Sequence, residues 1–260
     1  MKGKLVKLVA PLPYSIKRLL FRTWLAVTSA GHVANKGERV VVSSWKELIS
    51  THEFYHIMHA HRYVWAAQQL KNCVSLLDYG CGSGYGTWYL SSTHKAPVYG
   101  FDIDLKAIAW AHKHFHHEYL AYITALPLIK FDGIASFEVI EHIEDQQQYI
   151  YTLKSMLATN GTLLISTANG SRESVRQQLI DKKLVTVNHT HVRELTASEF
   201  LALLKKNFTT VQLYGQCVAN AYNFDNWNQW RRKNTVTIED FKMKEDDTIN
   251  CEVIVAVCKK

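Results

Sequence analysis

The stretch Val74-Ser75-Leu76-Leu77-Asp78-Tyr79-Gly80-Cys81-Gly82-Ser83-Gly84-Tyr85-Gly86 decides the fold. Its apolar run VSLL predicts a buried parallel strand, and the segment TWYL, which begins directly after the last glycine, predicts a helix. An acidic residue and alternating glycines lie between them. Glycine adopts backbone angles that other residues avoid, and it lacks the side chain that would keep the main chain away from a ligand. The stretch therefore predicts a strand-to-helix turn that contacts a ligand.

The composition is that of a folded protein with a basic surface. A chain of 260 residues suits one α/β domain with extensions, and 47% hydrophobic with 20% charged residues excludes a disordered chain. Its five cysteines are widely spaced and form no C-x-x-C pair, which favours reduced thiols and a cytoplasmic location over a disulfide framework or a zinc site. The formal net charge of +7 favours an anionic partner, and nucleic acid, anionic lipid and an acidic glycan all stay open.

Much of the positive charge lies in residues 1–45, which we interpret as a basic N-terminal arm preceding a domain of residues 46–260. Within the arm, residues 14–29 place apolar side chains at helical spacing between basic ones and predict an amphipathic helix. Peripheral contact of residues 1–29 with a membrane and packing of this helix on the domain are both open. No run of about 18 uncharged apolar residues predicts a transmembrane span.

Residues 44–73 predict one or two helices that lead to the glycine turn. His56, His59 and Tyr63 are three and four residues apart, so they share a helix face that can cover a ligand pocket. Neither these histidines nor those near residue 114 are accompanied by carboxylates at ligand spacing, and we predict no metal there.

A second strand, VYGFDI, ends at Asp102, which lies 22 residues beyond Gly80. In a doubly wound fold, an acidic residue at the end of the second strand and about 20 residues past the first glycine accepts hydrogen bonds from ribose hydroxyls. The glycines do not follow the G-x-G-x-x-G spacing of a dinucleotide site, and no lysine follows them as in a phosphate-binding loop. Asp78 suits a ligand with positive charge. S-adenosylmethionine, with its ammonium and sulfonium groups, meets both requirements.

At this point the chain resembles a class I S-adenosylmethionine-dependent methyltransferase. LLDYGCGSGYG is similar to the family's first motif, VYGFDID to its second, FDGIASFEVIEHIED to its acidic strand and loop, and GTLLISTANG to its fifth strand. The resemblance covers roughly residues 55–215. It implies a doubly wound, Rossmann-like α/β fold with a seven-stranded, mostly parallel sheet whose last strand is antiparallel.

The resemblance also implies which residues hold S-adenosylmethionine. Asp78, Gly80 and Gly82 would contact its methionine part, Asp102 its ribose and Ile103 its adenine. Thr124 stands where many members carry aspartate. The predicted cofactor contacts are Asp78, Gly80, Cys81, Gly82, Gly84, Tyr85, Asp102, Ile103, Thr124 and Glu138.

The segment EVIEH ends at His142, at the carboxyl end of the fourth predicted strand, which is the ligand-binding edge of such sheets. Histidine titrates near neutrality, so His142 is a candidate general base, and packing against the cofactor or capping the next helix is the alternative. The pattern also resembles that of quinone-biosynthesis O-methyltransferases. This resemblance implies, as a further alternative, a magnesium ion held by Glu138, Glu141 and His142.

Residues 188–194 resemble a segment of polysaccharide-associated methyltransferases that covers the acceptor pocket, and Asn188, His191 and Glu194 match it. His191 is therefore the second candidate catalytic residue, next to a predicted capping box, TASE, at residues 196–199. A turn is predicted at Thr159-Asn160-Gly161. Residues 217–249 form an expected substrate-side insertion, rich in aromatic and amide side chains around Trp227.

Together these features predict transfer of a methyl group to a hydroxyl of a small molecule, a glycan or a lipid-linked intermediate. Alternatives are a metal-assisted quinone-type O-methyltransferase, a nucleic-acid methyltransferase, and a protein that binds the cofactor without catalysis. No nucleic-acid module is recognisable, which disfavours the nucleic-acid alternative. The acceptor and the oligomeric state are not predicted.

Overall fold

The computed structural model describes residues 39–50, 54–172, 190–218, 241–248 and 251–260, all within a unit formed by residues 38–260. The amphipathic helix of residues 14–29 and its membrane contact lie outside the described residues. So do Asn188 and most of the predicted insertion, including Trp227.

The described elements alternate between strands and helices, as expected for a doubly wound fold. The helices are α1 (Trp45–Ser50), α2 (Phe54–Gln69), α3 (Tyr85–Thr93), α4 (Leu105–His114), α5 (Gln146–Met156) and α6 (Ala197–Lys205). The strands are β1 (Leu76–Tyr79), β2 (Val98–Phe101), β3 (Leu120–Ile123), β4 (Phe131–Ser136), β5 (Leu157–Ala168), β6 (Thr210–Val218), β7 (Lys244–Glu245) and β8 (Cys251–Lys259). Two short 3₁₀ turns are Ile140–His142 and Gly170–Arg172.

The sheet has the strand order β3-β2-β1-β4-β5-β8-β6-β7. Strand β1 pairs in parallel with β2 on one side and β4 on the other, and β8 lies antiparallel between β5 and β6. The fold prediction, including the antiparallel last strand, is confirmed. The eighth strand in the described part of the chain is the two-residue β7, which pairs with β6.

Strand β1 is central because it is buried on both faces. Leu76 belongs to the apolar cluster that includes side chains of α2, α3 and α4, whereas its neighbour Leu77 belongs to the cluster of α5 and α6. Successive side chains of a strand point to opposite faces. Leu76 and Leu77, from the run that predicted a buried strand, therefore contact helices on both sides of the sheet, whereas Val74 of the same run is 70% exposed and lies before β1.

Short polar side chains set several helix starts. Asp104 accepts a hydrogen bond from the Lys106 amide at the start of α4, and Asp145 accepts one from the Gln148 amide at the start of α5. The capping box predicted before α6 is present, because Thr196 and Glu199 satisfy each other's backbone amides. Since Asp145 caps α5, His142 is not the capping residue of this helix.

The residues of the predicted turn, 159–161, lie within strand β5. Strand β5 begins at Leu157, directly after α5, and continues through these residues. Its pairing with β4 shifts register, because Phe131 is opposite Leu157 whereas Gly133 is opposite Thr162. The residues of the predicted turn lie at this shift of register.

None of the helices in the described part of the chain combines the length and apolar character that a membrane crossing requires.

Candidate functional site

The chain order of the strands reverses between β1 and β4. From β1 the chain proceeds through β2 to β3 on one side, and then returns to β4 on the other side. In open α/β sheets the crevice at such a reversal, beyond the carboxyl ends of the strands, is where ligands bind. The predicted glycine turn follows β1 and the predicted EVIEH segment follows β4, so the fold brings the two regions together.

The turn after β1 depends on glycine. Gly80, Gly82 and Gly84 have φ angles of 82°, 55° and 91°, which side chains disfavour. At Gly80 a Cβ atom would also lie 2.4 Å from Cγ2 of Val139, whereas at Gly82 the nearest atom to such a Cβ is 3.8 Å away. The main chain is thereby open to a ligand at Gly82 and tightly packed at Gly80.

Asp102 is linked to this turn by a direct hydrogen bond. The Gly82 amide donates to Asp102 Oδ2 at 2.9 Å, and the Asp104 amide donates to Asp102 Oδ1 at 2.8 Å. The glycine turn and Asp102, which are the two parts of the predicted nucleoside site, are therefore in direct contact. Ile103, 60% exposed, and the exposed Thr124 follow β2 and β3 at the same edge of the sheet.

Arg39 is a part of this region that the sequence did not reveal. Its guanidinium forms ion pairs with Asp104 and, at 3.7 Å, with Asp102. The main chain beside it is fixed, because Ser83 Oγ donates to the Val40 carbonyl at 2.8 Å and Trp110 Nε1 donates to the Val42 carbonyl at 2.9 Å. The sequence predicts these residues to belong to the N-terminal arm, because nothing local marks them as part of the crevice, whereas the compact unit in the structure begins at Glu38.

Asp78 is fully buried at the end of β1. It accepts hydrogen bonds from Tyr63 Oη on α2, at 3.0 and 3.2 Å, and from Thr87 Oγ1 on α3, at 2.6 Å. Burial raises the pKa of Asp78 to about 7, against the opposing effect of these two hydrogen bonds. One carboxylate therefore holds both helices onto the turn.

Tyr85, the first residue of α3, is part of an aromatic group above the turn. Its hydroxyl lies 2.9 Å from His59 Nδ1, and its ring packs edge-on to Tyr63, which in turn packs edge-on to Phe137. Removal from water, and then the charge of Arg62, lower the pKa of His59 well below its usual range. His59 and Tyr63 share the α2 face that the sequence predicted, and this face covers the start of α3.

Arg62, also on α2, is the second residue that the sequence did not reveal. It is fully buried; its Nε donates to Gln216 Oε1 at 3.0 Å, and its Nη1 lies 3.5 Å from Glu138 Oε1. Neither terminal nitrogen donates a hydrogen bond to any group among the described residues. A buried guanidinium with unused donors points to an anionic ligand, because such donors are costly to leave unpaired.

Glu138 has a strained backbone, with a φ of 54°. Ser166 Oγ donates to its carboxylate at 2.8 Å, and the carboxylate also faces Arg62. Non-glycine residues in this conformation cluster at functional sites, where the surrounding structure fixes them. Glu138 thus connects β4, β5 and α2 at the edge of the crevice.

His142 and His191 are brought together, with ring centroids 4.8 Å apart. Nδ1 of His142 lies 3.2 Å from the Thr190 carbonyl oxygen, and Nδ1 of His191 lies 2.6 Å from Glu194 Oε1. Both candidate catalytic residues are half-buried at the carboxyl edge of the sheet. The sequence named each of them separately, but it did not predict that they form a pair.

The magnesium set implied by the quinone-type resemblance does not fit this arrangement. Glu138 is held by Ser166 and Arg62, and in the described residues the ligand atoms that cluster belong to Glu141, His142 and His191. Burial and the neighbouring Glu138 raise the pKa of Glu141 well above its usual range. Two imidazoles and one carboxylate are also a poor donor set for magnesium, which prefers oxygen.

Residues 50–213 match the protein family described as "Methyltransferase domain", and this match covers more than half of the chain. The chain belongs to this methyltransferase family. Its fold is that of the class I enzymes, which use S-adenosylmethionine. The matched residues include the glycine turn, Asp102, and the strands β1 and β4 that flank the crevice.

Curated relatives agree with the family. A "Probable S-adenosylmethionine-dependent methyltransferase" of Mycolicibacterium smegmatis is 31% identical over 135 residues, 50% of this chain and 49% of the relative. A ubiquinone biosynthesis O-methyltransferase of Pelagibacter ubique is 32% identical over 150 residues, 53% of this chain and 62% of the relative. The methyltransferase thus spans about half the length of the curated relatives it matches.

A solved structure shows the same fold. Magnesium protoporphyrin IX methyltransferase from Synechocystis PCC 6803, with bound S-adenosylhomocysteine, superposes with a TM-score of 0.54 at 16% identity. The alignment covers 92% of this chain and 94% of the other.

We predict that Asp78 makes the stability of this methyltransferase depend on pH. Its folded pKa of about 7 lies above the unfolded value of 3.8, so the folded state binds the proton more tightly. The unfolding free energy should therefore fall as the pH rises from about 4 to about 7, by at most about 4 kcal/mol. In Asp78→Asn this contribution is absent, and the amide can still accept from Tyr63. Urea unfolding of both proteins from pH 5 to 8 measures the difference, and parallel curves would show that the assignment is wrong.

Proposed function

We propose that the chain transfers the methyl group of S-adenosylmethionine to a hydroxyl oxygen of a small molecule, a glycan or a lipid-linked intermediate. The observation that carries the proposal is the pair formed by His142 and His191 at the carboxyl edge of the sheet. A hydroxyl group must lose its proton as its oxygen is methylated, and imidazole is suited to accept a proton near neutral pH.

The histidine pair is oriented for this role. The contacts of Nδ1 with the Thr190 carbonyl oxygen and with Glu194 fix the ring positions. A carboxylate beside the imidazole also stabilises the imidazolium that forms when the proton arrives. Glu194 is thus proposed as a positioning residue for His191.

The cofactor would be held as the sequence predicts. S-adenosylmethionine supplies an already activated methyl group on its sulfonium. The glycine turn would hold its methionine part and Asp102 its ribose, because the Gly82 amide and the Asp102 carboxylate are adjacent. Ile103 and Thr124 would lie against the adenine. Since the donor is activated, alignment of the two reactants and removal of the proton are the main tasks left to the protein.

Arg62 would bind the carboxylate of the cofactor's methionine part. Arg62 is next to Tyr63 in α2, and Tyr63 donates a hydrogen bond to Asp78 at the start of the turn. The terminal nitrogens of Arg62 donate no hydrogen bond to the described residues, and an anionic group would satisfy them. The methionine part carries both an ammonium group and a carboxylate. Asp78 and Arg62 would provide the two opposite charges that these groups need.

The proposed role of Arg62 can be tested with a shortened ligand. We expect Arg62→Gln to weaken the binding of S-adenosylhomocysteine by about tenfold or more, because a charge-assisted hydrogen bond is lost. Binding of 5′-methylthioadenosine, which has no carboxylate, should change less than twofold. Isothermal titration measures both, with Arg172→Gln as a control arginine and a thermal unfolding curve for each variant. Equal losses for the two ligands would contradict the role.

The function itself is tested by methyl transfer from labelled S-adenosylmethionine into cell extract. We expect the label in a small-molecule, glycan or lipid fraction, as an ether that resists mild alkali. The double variant His142→Ala/His191→Ala should lose about 10²-fold or more of the rate while binding S-adenosylhomocysteine normally. His116→Ala, at an exposed histidine, serves as the control.

Two results would contradict the proposal. Label found in RNA would favour a nucleic-acid methyltransferase. A double variant with a normal rate would show that the histidine pair does not accept the proton.

A further inference from the structure

Three side chains beside the crevice bring potential metal ligands together. One ligand atom from each of Glu141, His142 and His191 lies within 4.8 Å of the other two. Glu141 and His142 belong to the 3₁₀ turn after β4, whereas His191 comes from a segment about 50 residues later in the chain. The cluster therefore exists only in the folded protein.

The main chain holds the two segments together independently of these side chains. The amides of Val192 and Arg193 both donate to the Glu141 carbonyl oxygen, at 2.7 and 3.2 Å. Gln146 Nε2 adds a hydrogen bond to the Arg193 carbonyl oxygen at 2.9 Å and another to the Ile140 carbonyl oxygen at 3.0 Å. His191 is thus fixed beside the 3₁₀ turn by backbone contacts of the two residues that follow it.

The buried carboxylate of Glu141 is an indication that a cation binds at this cluster. The side chain is fully buried, and its Oε1 receives a long hydrogen bond, 3.4 Å, from the Ala168 amide. Its Oε2 accepts no hydrogen bond from the described residues. A buried carboxylate oxygen without a donor is rare in native proteins, and an ion that occupies the site is one of its few explanations.

Both imidazoles make a contact between Nδ1 and an oxygen atom, as metal-binding histidines do with the ring nitrogen that does not bind the metal. Such a histidine usually donates its second ring N–H to a carbonyl or carboxylate oxygen, which leaves the other nitrogen for the metal. Nδ1 of His142 lies 3.2 Å from the Thr190 carbonyl oxygen, and Nδ1 of His191 lies 2.6 Å from Glu194 Oε1. Each ring would then offer Nε2 to the ion.

From this geometry we propose that Glu141, His142 and His191 bind one divalent transition-metal ion, of the zinc or cobalt class. Two imidazoles and one carboxylate suit these ions better than magnesium. Ligands about 2.0–2.2 Å from one ion lie roughly 3.4 Å apart, so the two half-buried histidine side chains must approach by about 1 Å. The set differs from the one that the quinone-type resemblance implies, because His191 replaces Glu138.

Such an ion would retain an open position for the acceptor. Three protein ligands and one exchangeable position are typical of catalytic zinc sites, where the ion stabilises an oxygen that loses its proton. In this respect the inference rests on the proposed function and deepens it: with both imidazoles bound to the ion, the ion would lower the pKa of the acceptor hydroxyl, and the proton would leave to solvent instead of to an imidazole. Metal binding itself needs neither acceptor nor cofactor, so it can fail or succeed independently of methyl transfer.

The test is a metal titration of the tag-free, metal-stripped full chain. We expect the chain to bind one equivalent of Zn²⁺ by isothermal titration, and the Co²⁺ form to show visible d–d absorption. Mg²⁺ should bind at least about 100-fold more weakly than Zn²⁺. His191→Ala and Glu141→Gln should each weaken Zn²⁺ binding by about 100-fold or more and reduce the Co²⁺ absorption, whereas His116→Ala should change neither.

Thermal unfolding with and without Zn²⁺ separates loss of the site from loss of the fold. Wild-type chain and His116→Ala should be stabilised by the ion, since it binds only the folded state. A folded His191→Ala that is not stabilised supports the site. The proposal is overturned if the double variant His142→Ala/His191→Ala binds Zn²⁺ with the same stoichiometry and affinity as the wild-type chain, or if the wild-type chain binds none.

Discussion

The buried carboxylate of Asp78 is the contact on which the arrangement of the site depends. It accepts hydrogen bonds from Tyr63 on α2 and Thr87 on α3, while its own position is set by the centre of the sheet. Without it, Tyr63 and Thr87 would lose their hydrogen bonds to the end of β1. The same contact places Arg62 and His59 over the crevice, because they lie within one helical turn of Tyr63. A charge that is expensive to bury thus fixes the geometry of the ligand-binding edge.

The strands, the glycine turn and the place of Asp102 could be predicted because their signals are local. An apolar run, a run of glycines and an acidic residue at a fixed distance each follow from neighbouring residues. Arg39 and Arg62 escaped prediction because their partners are distant: Arg62 contacts Gln216, which is 154 residues away. The shift of register in β5 was also missed, because a glycine in a predicted turn gives no information about pairing with β4.

The histidines show the same limit at the site. His142 and His191 were predicted individually, one from a strand end and the other from a resemblance, but only the fold shows that their rings are neighbours. The resemblance also implied a metal set with Glu138, which the structure engages elsewhere with Ser166 and Arg62. Residue types in a motif therefore identified the right region, whereas the partners of each side chain depended on tertiary contacts.

The central claim is that the glycine turn and Asp102 form the S-adenosylmethionine site, and equilibrium binding of S-adenosylhomocysteine tests it most directly. Asp102→Asn should weaken binding by at least about tenfold, because a charged acceptor for the ribose is lost. Asp132→Asn is the matched control, since that carboxylate accepts from Ser75 Oγ at the opposite end of the sheet. It should bind like the wild-type chain. Unchanged affinity in Asp102→Asn, or no binding by the wild-type chain, would contradict the account.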